Sequence, residues 1–197
     1  MTDSSKSVLE QYWQQLRSSL AHQDGDNPSF YAMADGAAHP HIHAHLEAYQ
    51  HPCLCLFEHP QVTLEQSPWL FPLKPGDTFS DWYLQESAGR YWGTLMLSPL
   101  PLATLGLHLQ HYLTAQDEGG VLHLLRLFDP RGCRAILQVL DAGQRQAFFK
   151  PIHALWLDMA GNPEKWQQIN DHGDKLLVQT LQRPQAAHDT KGEVCAC

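Results

Sequence analysis

The stretch VLHLLRLFDPR, residues 121–131, decides the predicted fold because it combines a strand signal with a helix start. Its first eight residues are apolar except for His123 and Arg126, and such a short run is typical of a strand covered on both faces. Asp129 is a strong N-cap residue, and the proline after it suits the first position of a helix. The stretch therefore predicts a central strand leading directly into a helix, with Asp129 and Arg131 at the carboxyl end of that strand.

Apolar runs alternate with helical spacings on both sides of this stretch. Further strands are predicted at residues 30–34, 53–57, 69–73, 91–97 and 152–157. Helices are predicted between them, and two of these start at a capping pair, Ser7 with Glu10 and Asp141 with Gln144. The alternation predicts an α/β fold, with a mixed sheet of about five to six strands and helices packed on it.

The chain length of 197 residues is typical of one domain. The α/β domain is expected to span residues 1–160, including the N-terminal helix. Residues 161–197 are predicted to form a short helical extension, with one helix between Pro163 and Leu181, and then a flexible polar tail.

The formal net charge is -8, and the 13 Lys and Arg residues are scattered singly along the chain. Proteins that bind nucleic acid or an anionic membrane usually carry a basic patch, so neither partner is predicted. The polar start MTDSSKS indicates no secretory signal, and the apolar residues 94–109 are interrupted by two prolines and a histidine. We therefore expect a cytoplasmic protein with free thiols rather than disulfides.

Two aspartates, Asp35 and Asp129, each follow a predicted strand and are expected to meet at one edge of the sheet. Paired carboxylates at such an edge bind magnesium or act as acid and base. Structural roles also explain both residues, because Asp35 with Gly36 forms a tight turn and Asp129 caps a helix. The structural explanation is favoured, since no phosphate loop, nucleophile elbow or catalytic cysteine signature accompanies them. Loss of the cap in Asp129→Ala is expected to cost about 1 kcal/mol.

Histidines cluster in the segment HPHIHAH, where His39, His41, His43 and His45 alternate with other residues. On a helix, His41 and His45 lie one turn apart and are able to share a zinc ion. The segment lacks a Cys-x-x-Cys pair or an HExxH motif, so no native metal site is predicted.

Four tryptophans are candidate anchors for a protein partner, and they are Trp69, Trp82, Trp92 and Trp156. Most of them are expected in the core. Trp69 and Trp82 are the better candidates for a partner surface, because they lie in or beside predicted loops.

A set of motifs in fixed order resembles the adaptor-chaperone family of bacterial type VI secretion systems, whose members carry a domain of unknown function. The motifs are YAMADGA (31–37), CLFE (55–58), PWLFPL (68–73), YWGTLMLSPLPL (91–102), HLQHYL (108–113), LFDPR (127–131) and FFKPI (148–152). Each motif is weak alone, but their order and spacing make the set specific. In its short length and polar tail the chain is most similar to the compact, VasW-like members.

The resemblance implies a cytoplasmic adaptor that is not an enzyme and needs no cofactor. It implies two protein partners, a toxic effector bound commonly through its N-terminal region and the valine-glycine-repeat spike protein, VgrG. Carried over by position, the partner-binding residues are Asp35, Trp69, Trp92, Asp129 and Arg131, with Arg131 expected to reach outward. Two alternatives remain at this point, a metal-dependent hydrolase using Asp35, Asp129 and the histidines at 39–45, and a purely structural spike component.

Overall fold

The computed structural model describes residues 8–18, 28–159, 161–173 and 175–183. Within these ranges the strands in chain order are β1 Ser29–Asp35, β2 Leu54–Cys55, β3 Pro68–Leu73, β4 Gly93–Ser98, β5 Thr114–Gln116, β6 Leu122–Leu124, β7 Ala154–Met159, β8 Asn162–Asp171 and β9 Leu176–Gln182. The helices are α1 Val8–Ser18, α2 His41–Ala48, α3 Thr78–Glu86, α4 Leu102–Gln110, α5 Pro130–Val139 and α6 Ala142–Phe149.

Seven strands form one sheet in the order β2-β3-β1-β4-β7-β8-β9, and β5 pairs with β6 in a separate hairpin. All the pairings in the large sheet are antiparallel. The predicted α/β class is confirmed. The sheet has seven strands, whereas about five to six were predicted. It is also fully antiparallel, whereas a mixed sheet was predicted.

Helices cover both faces of the sheet, because side chains along its central strands alternate between two apolar cores. In β1, Phe30 and Ala32 point into the core that contains residues of α1, α2 and α3, whereas Tyr31 and Met33 point into the core that contains residues of α4, α5 and α6. Strands buried on both faces have continuous apolar sequences. This explains why β1, β3 and β4 were recognisable from local sequence.

The predicted central strand in residues 121–131 is wrong. Its first part is β6, a short strand that pairs with β5, and residues 121–124 are all exposed. The stretch is buried from Leu127 to Pro130, and of these residues Leu127 and Phe128 lie in the turn before α5. The central position is held by β4 between β1 and β7. The helix start is confirmed, because α5 begins at Pro130 and the Asp129 side chain caps it.

The predicted C-terminal helix is also wrong, because residues 163–171 lie in β8 and residues 176–181 lie in β9. Trp166 and Ile169 of β8 are buried on opposite faces of the sheet, and β8 is paired with β7. The large sheet therefore continues from β7 into β8, on the two sides of the predicted domain boundary at residue 160. The predicted flexible tail lies largely outside the described residues.

A buried ion pair ties the end of β9 to β7. Asp158 of β7 and Arg183 form a salt bridge in which both side chains are nearly inaccessible to solvent. The same carboxylate accepts a hydrogen bond from the backbone N–H of Tyr91 at 2.9 Å. This carboxylate therefore connects three segments that are distant in sequence.

Cys53, Cys55 and Cys133 are free thiols, as expected, whereas Cys195 and Cys197 lie outside the described residues. In the ranges that the structure describes, no helix has both the length and the apolar character needed to cross a membrane.

Candidate functional site

The candidate site lies at the end of the large sheet where β1 stops and β4 starts. Asp35 is the last residue of β1, and its backbone N–H donates to the carbonyl of Trp92 just before β4. The Asp35 carboxylate accepts a hydrogen bond from the backbone N–H of Ala37 at 3.0 Å, which caps the short 3-10 helix Gly36–Ala38. The predicted turn at Asp35 and Gly36 is therefore present, and it holds the carboxylate in a buried position.

Arg126 joins the two aspartates that the sequence predicted to meet. Its Nη2 atom lies 2.7 Å from Oδ2 of Asp35 and 3.4 Å from Oδ2 of Asp129. The juxtaposition of Asp35 and Asp129 is confirmed, but the group between them is a guanidinium. Sequence reasoning missed this role, although a charged residue inside an apolar run was the available signal.

Asp129 organises the other half of the site. One of its oxygens accepts from the backbone N–H of Arg131 at 2.9 Å, which caps α5. The two oxygens also accept from Nε and Nη2 of the Arg131 side chain at 3.0 and 2.8 Å. Burial alone raises the pKa of Asp129, but the hydrogen bonds and charge of Arg131, with the charge of Arg126, outweigh it and lower that pKa. Asp129 is therefore held in its charged form.

Two glycines allow the backbone to approach closely enough to build this site. A Cβ atom on Gly132 would collide with the backbone carbonyl of Arg126, and one on Gly36 would collide with the carbonyls of Glu65 and Ser67. Neither collision is relieved by rotating a side chain, because the obstructing atoms belong to the backbone. The glycines after Asp35 and Arg131 are thus part of the site's construction.

The carboxylates are buried whereas the guanidiniums are exposed. The side chains of Asp35 and Asp129 are 7% and 6% exposed, compared with 54% for Arg126 and 60% for Arg131. The Arg131 guanidinium also lies over the Tyr91 ring, 5.1 Å from its centroid. The site therefore presents cationic groups to solvent, and the expected outward position of Arg131 is confirmed.

The two tryptophans assigned to partner binding are buried near this end of the sheet. The Trp69 indole N–H donates to the backbone carbonyl of Leu64 at 2.9 Å. Trp92 stacks on His39 with ring centroids 4.2 Å apart. Both tryptophans therefore pack inside the protein next to the site. Direct contact of either tryptophan with a partner stays a prediction. Trp156 is a core residue and Trp82 is partly exposed.

The histidine cluster packs against these aromatic residues. His45 stacks on Trp82 with centroids 4.1 Å apart, and His43 packs against Trp69 at 5.1 Å. Among the described residues, no group of three or more His, Cys, Asp or Glu side chains is placed to hold a metal ion. With Asp35 and Asp129 paired to arginines, the metal-dependent hydrolase is not favoured.

A hairpin with exposed apolar residues precedes the arginines in the chain, and its second strand was predicted to lie in the core instead. It consists of β5 and β6, and the exposed apolar side chains are Val121, Leu122 and Leu124. Leu124 is only two residues from Arg126 along the chain. Exposed apolar and cationic residues therefore follow one another closely along this segment of the chain.

Replacing Asp129 with alanine is expected to lower the free energy of unfolding by about 1–2 kcal/mol at pH 7. The cap accounts for about 1 kcal/mol, and the contacts with the exposed arginines add less. Asp129→Asn is expected to lose less, because asparagine also caps helices. Urea denaturation measures both values.

The charge-dependent part of this effect has a defined pH dependence. Because the pKa of Asp129 is lowered by folding, its charge stabilises the protein above the ordinary carboxyl pKa, and this contribution disappears as pH falls through the lowered value. The stability difference between wild type and Asp129→Asn is therefore expected to begin to shrink below about pH 4, and to close only when the pH is below the lowered pKa of Asp129. A difference that stays constant to lower pH would contradict this assignment.

Comparison with known families adds one finding. The family described as a domain of unknown function (DUF4123) matches residues 30–147, a range that contains Asp35, Arg126, Asp129 and Arg131. Among curated proteins and among solved structures, no significant match is found.

Proposed function

Because the chain belongs to the DUF4123 family, we propose that it is a cytoplasmic adaptor of a bacterial type VI secretion system. The adaptor binds a toxic effector, commonly through the effector's N-terminal region, and promotes loading of the effector onto the VgrG spike. It acts by binding rather than by catalysis and is not itself delivered.

The observation that carries this proposal is the family match over residues 30–147, which covers β1 to most of α6. The motifs that resemble type VI adaptors, from YAMADGA to LFDPR, fall in the same part of the chain, and FFKPI follows directly after it. Family membership and the order of these motifs are thus two supports for one function.

The chemistry of the sheet end agrees with a binding role. Asp35 and Asp129 use their oxygens to hold Arg126 and Arg131 in place. A general base needs an accessible lone pair next to a substrate proton, and buried, ion-paired carboxylates do not provide it. The exposed guanidiniums instead suit contact with another protein.

Co-expression with the effector encoded beside this gene tests the proposal. We expect the two proteins to elute together from a size-exclusion column as a complex of fixed stoichiometry. The effector expressed without the adaptor is the control, and its soluble yield is expected to fall. Recovery of only free adaptor at micromolar concentrations of both proteins would contradict an adaptor role.

The loading step needs a separate experiment in cells. Deletion of the adaptor gene is expected to remove the effector from VgrG immunoprecipitates while leaving VgrG secretion intact. The adaptor is expected in the cell fraction. Its appearance in the secreted fraction together with VgrG would favour a structural spike component instead.

A further inference from the structure

The exposed groups next to the site lie close together along the chain and are of mixed character. We define the arginine-hairpin surface by Arg126 and Arg131 together with Val121, Leu122 and Leu124. The hairpin leads into the loop that carries Arg126, and that loop leads into α5 at Arg131. The five residues therefore fall within eleven consecutive positions of the chain.

The apolar residues of this surface are exposed to solvent and are not part of either hydrophobic core. In the β5–β6 register Leu122 faces Gln116 and Leu124 faces Thr114, so both leucines lie on one side of a two-stranded hairpin. Leu122 is 64% exposed. Isolated two-stranded hairpins are marginally stable in water. A partner that covers this side would remove apolar surface from water and stabilise the hairpin.

The cationic part has hydrogen-bonding capacity left over. Arg126 bonds through Nη2, and among the described residues its Nε and Nη1 atoms have no acceptor. Arg131 uses Nε and Nη2 for Asp129, which leaves Nη1. Both guanidiniums are already oriented by buried carboxylates, so less side-chain entropy is lost when they bind a further acceptor.

We infer that the arginine-hairpin surface binds a segment of the effector in which carboxylates accompany apolar side chains. This inference rests on the proposed adaptor function and names its contact surface. The carboxylates of the segment pair with Arg126 and Arg131, while its apolar side chains cover Leu122 and Leu124. Charge complementarity selects this occupant, because the cationic ends of the site are exposed and its anionic groups are buried.

The net charge of -8 limits how such a segment is recognised. The adaptor repels an acidic partner at long range, so recognition depends on short-range pairing at the two arginines. Reversal of one of these charges is therefore expected to weaken binding mainly through the lost pairing. The net charge of the adaptor changes by only two units, so the long-range repulsion changes little.

The test uses the effector encoded beside this gene and measures its affinity for adaptor variants by calorimetry. Leu122→Asp and Arg131→Glu are each expected to weaken binding about tenfold or more, since central apolar and arginine contacts dominate interfaces. Val139→Asp and Lys150→Glu are matched controls with little expected effect. Val139 is 79% exposed and lies eight residues along α5 from Arg131, about 12 Å by helical rise.

Melting temperatures separate a lost contact from a damaged fold. Leu122 is exposed, so Leu122→Asp is expected to melt within a few degrees of wild type. Arg131→Glu loses two hydrogen bonds to Asp129 and brings a second carboxylate beside it, so its melting temperature is expected to fall further, and binding is measured well below that temperature. A lysine placed at an acidic position of the effector segment is expected to restore binding to Arg131→Glu.

The outcomes distinguish the contact surface from the adaptor function. If wild type does not bind the effector, the proposed function fails. If wild type binds and both variants bind equally well, the function stands and this surface is overturned. Loss of binding with Leu122→Asp but not with Arg131→Glu would overturn the carboxylate part of the inference.

Discussion

Replacing Asp158 with alanine is expected to lower the free energy of unfolding by about 3–5 kcal/mol, because it leaves a buried guanidinium without its counter-ion. Arg183 is almost completely buried, and its partner in the structure is Asp158. The substitution also removes the acceptor for the Tyr91 backbone N–H. For a chain of this length, the melting temperature is expected to fall by roughly 6–20 °C.

A double substitution distinguishes the effect of leaving Arg183 without its counter-ion from the effect of lost side-chain packing. Asp158→Leu combined with Arg183→Met replaces both charges by apolar side chains of similar size, and much of the lost stability is expected to return. Urea denaturation of the single and double variants provides the comparison. A double variant no more stable than Asp158→Ala would show that the buried charge is not the main cause.

Replacing Arg126 with alanine is expected to lower the free energy of unfolding by about 2–3 kcal/mol, because Asp35 loses the cation that compensates its buried charge. The expected loss is smaller than for Asp158→Ala, since Arg126 itself is more than half exposed. Asp129 keeps its contacts with Arg131 in this variant. The damage is therefore centred on the end of β1.

The control for this prediction also removes the charge of Asp35, which Arg126→Ala leaves without its cation. Asp35→Asn combined with Arg126→Ala is expected to be more stable than Arg126→Ala alone, because asparagine still accepts from the Ala37 N–H without being charged. Arg126→Lys is expected to be intermediate, since lysine keeps the charge but not the planar geometry. Equal stability of Arg126→Ala and wild type would show that Arg126 does not compensate Asp35.

Much of the fold was predictable from local sequence. The apolar segments of β1, β3 and β4 are buried on both faces, so their sequences are nearly continuous runs that need no knowledge of the rest of the chain. The caps at Asp129 and Asp141 were predictable for a similar reason, because a cap bonds to backbone groups two or three residues away.

The site was predictable in part. Asp35 and Asp129 were expected to meet, because each was predicted to lie at the end of a strand. Arg126 was not assigned, because its role depends on Asp35, which is 91 residues away. The turns at Gly36 and Gly132 likewise depend on carbonyl groups of other segments. Contacts of this kind have no periodic signal in the sequence.

The sequence by itself determined the α/β class, the strands β1, β3 and β4 and the starts of α5 and α6, since each rests on interactions between residues close in the chain. Only the tertiary structure decided that residues 122–124 form one strand of an exposed hairpin and that β8 and β9 extend the large sheet. A short apolar run has the same local pattern whether it is buried or exposed, and a strand is distinguished from a helix by its neighbours. Those neighbours are brought together only when the whole chain folds.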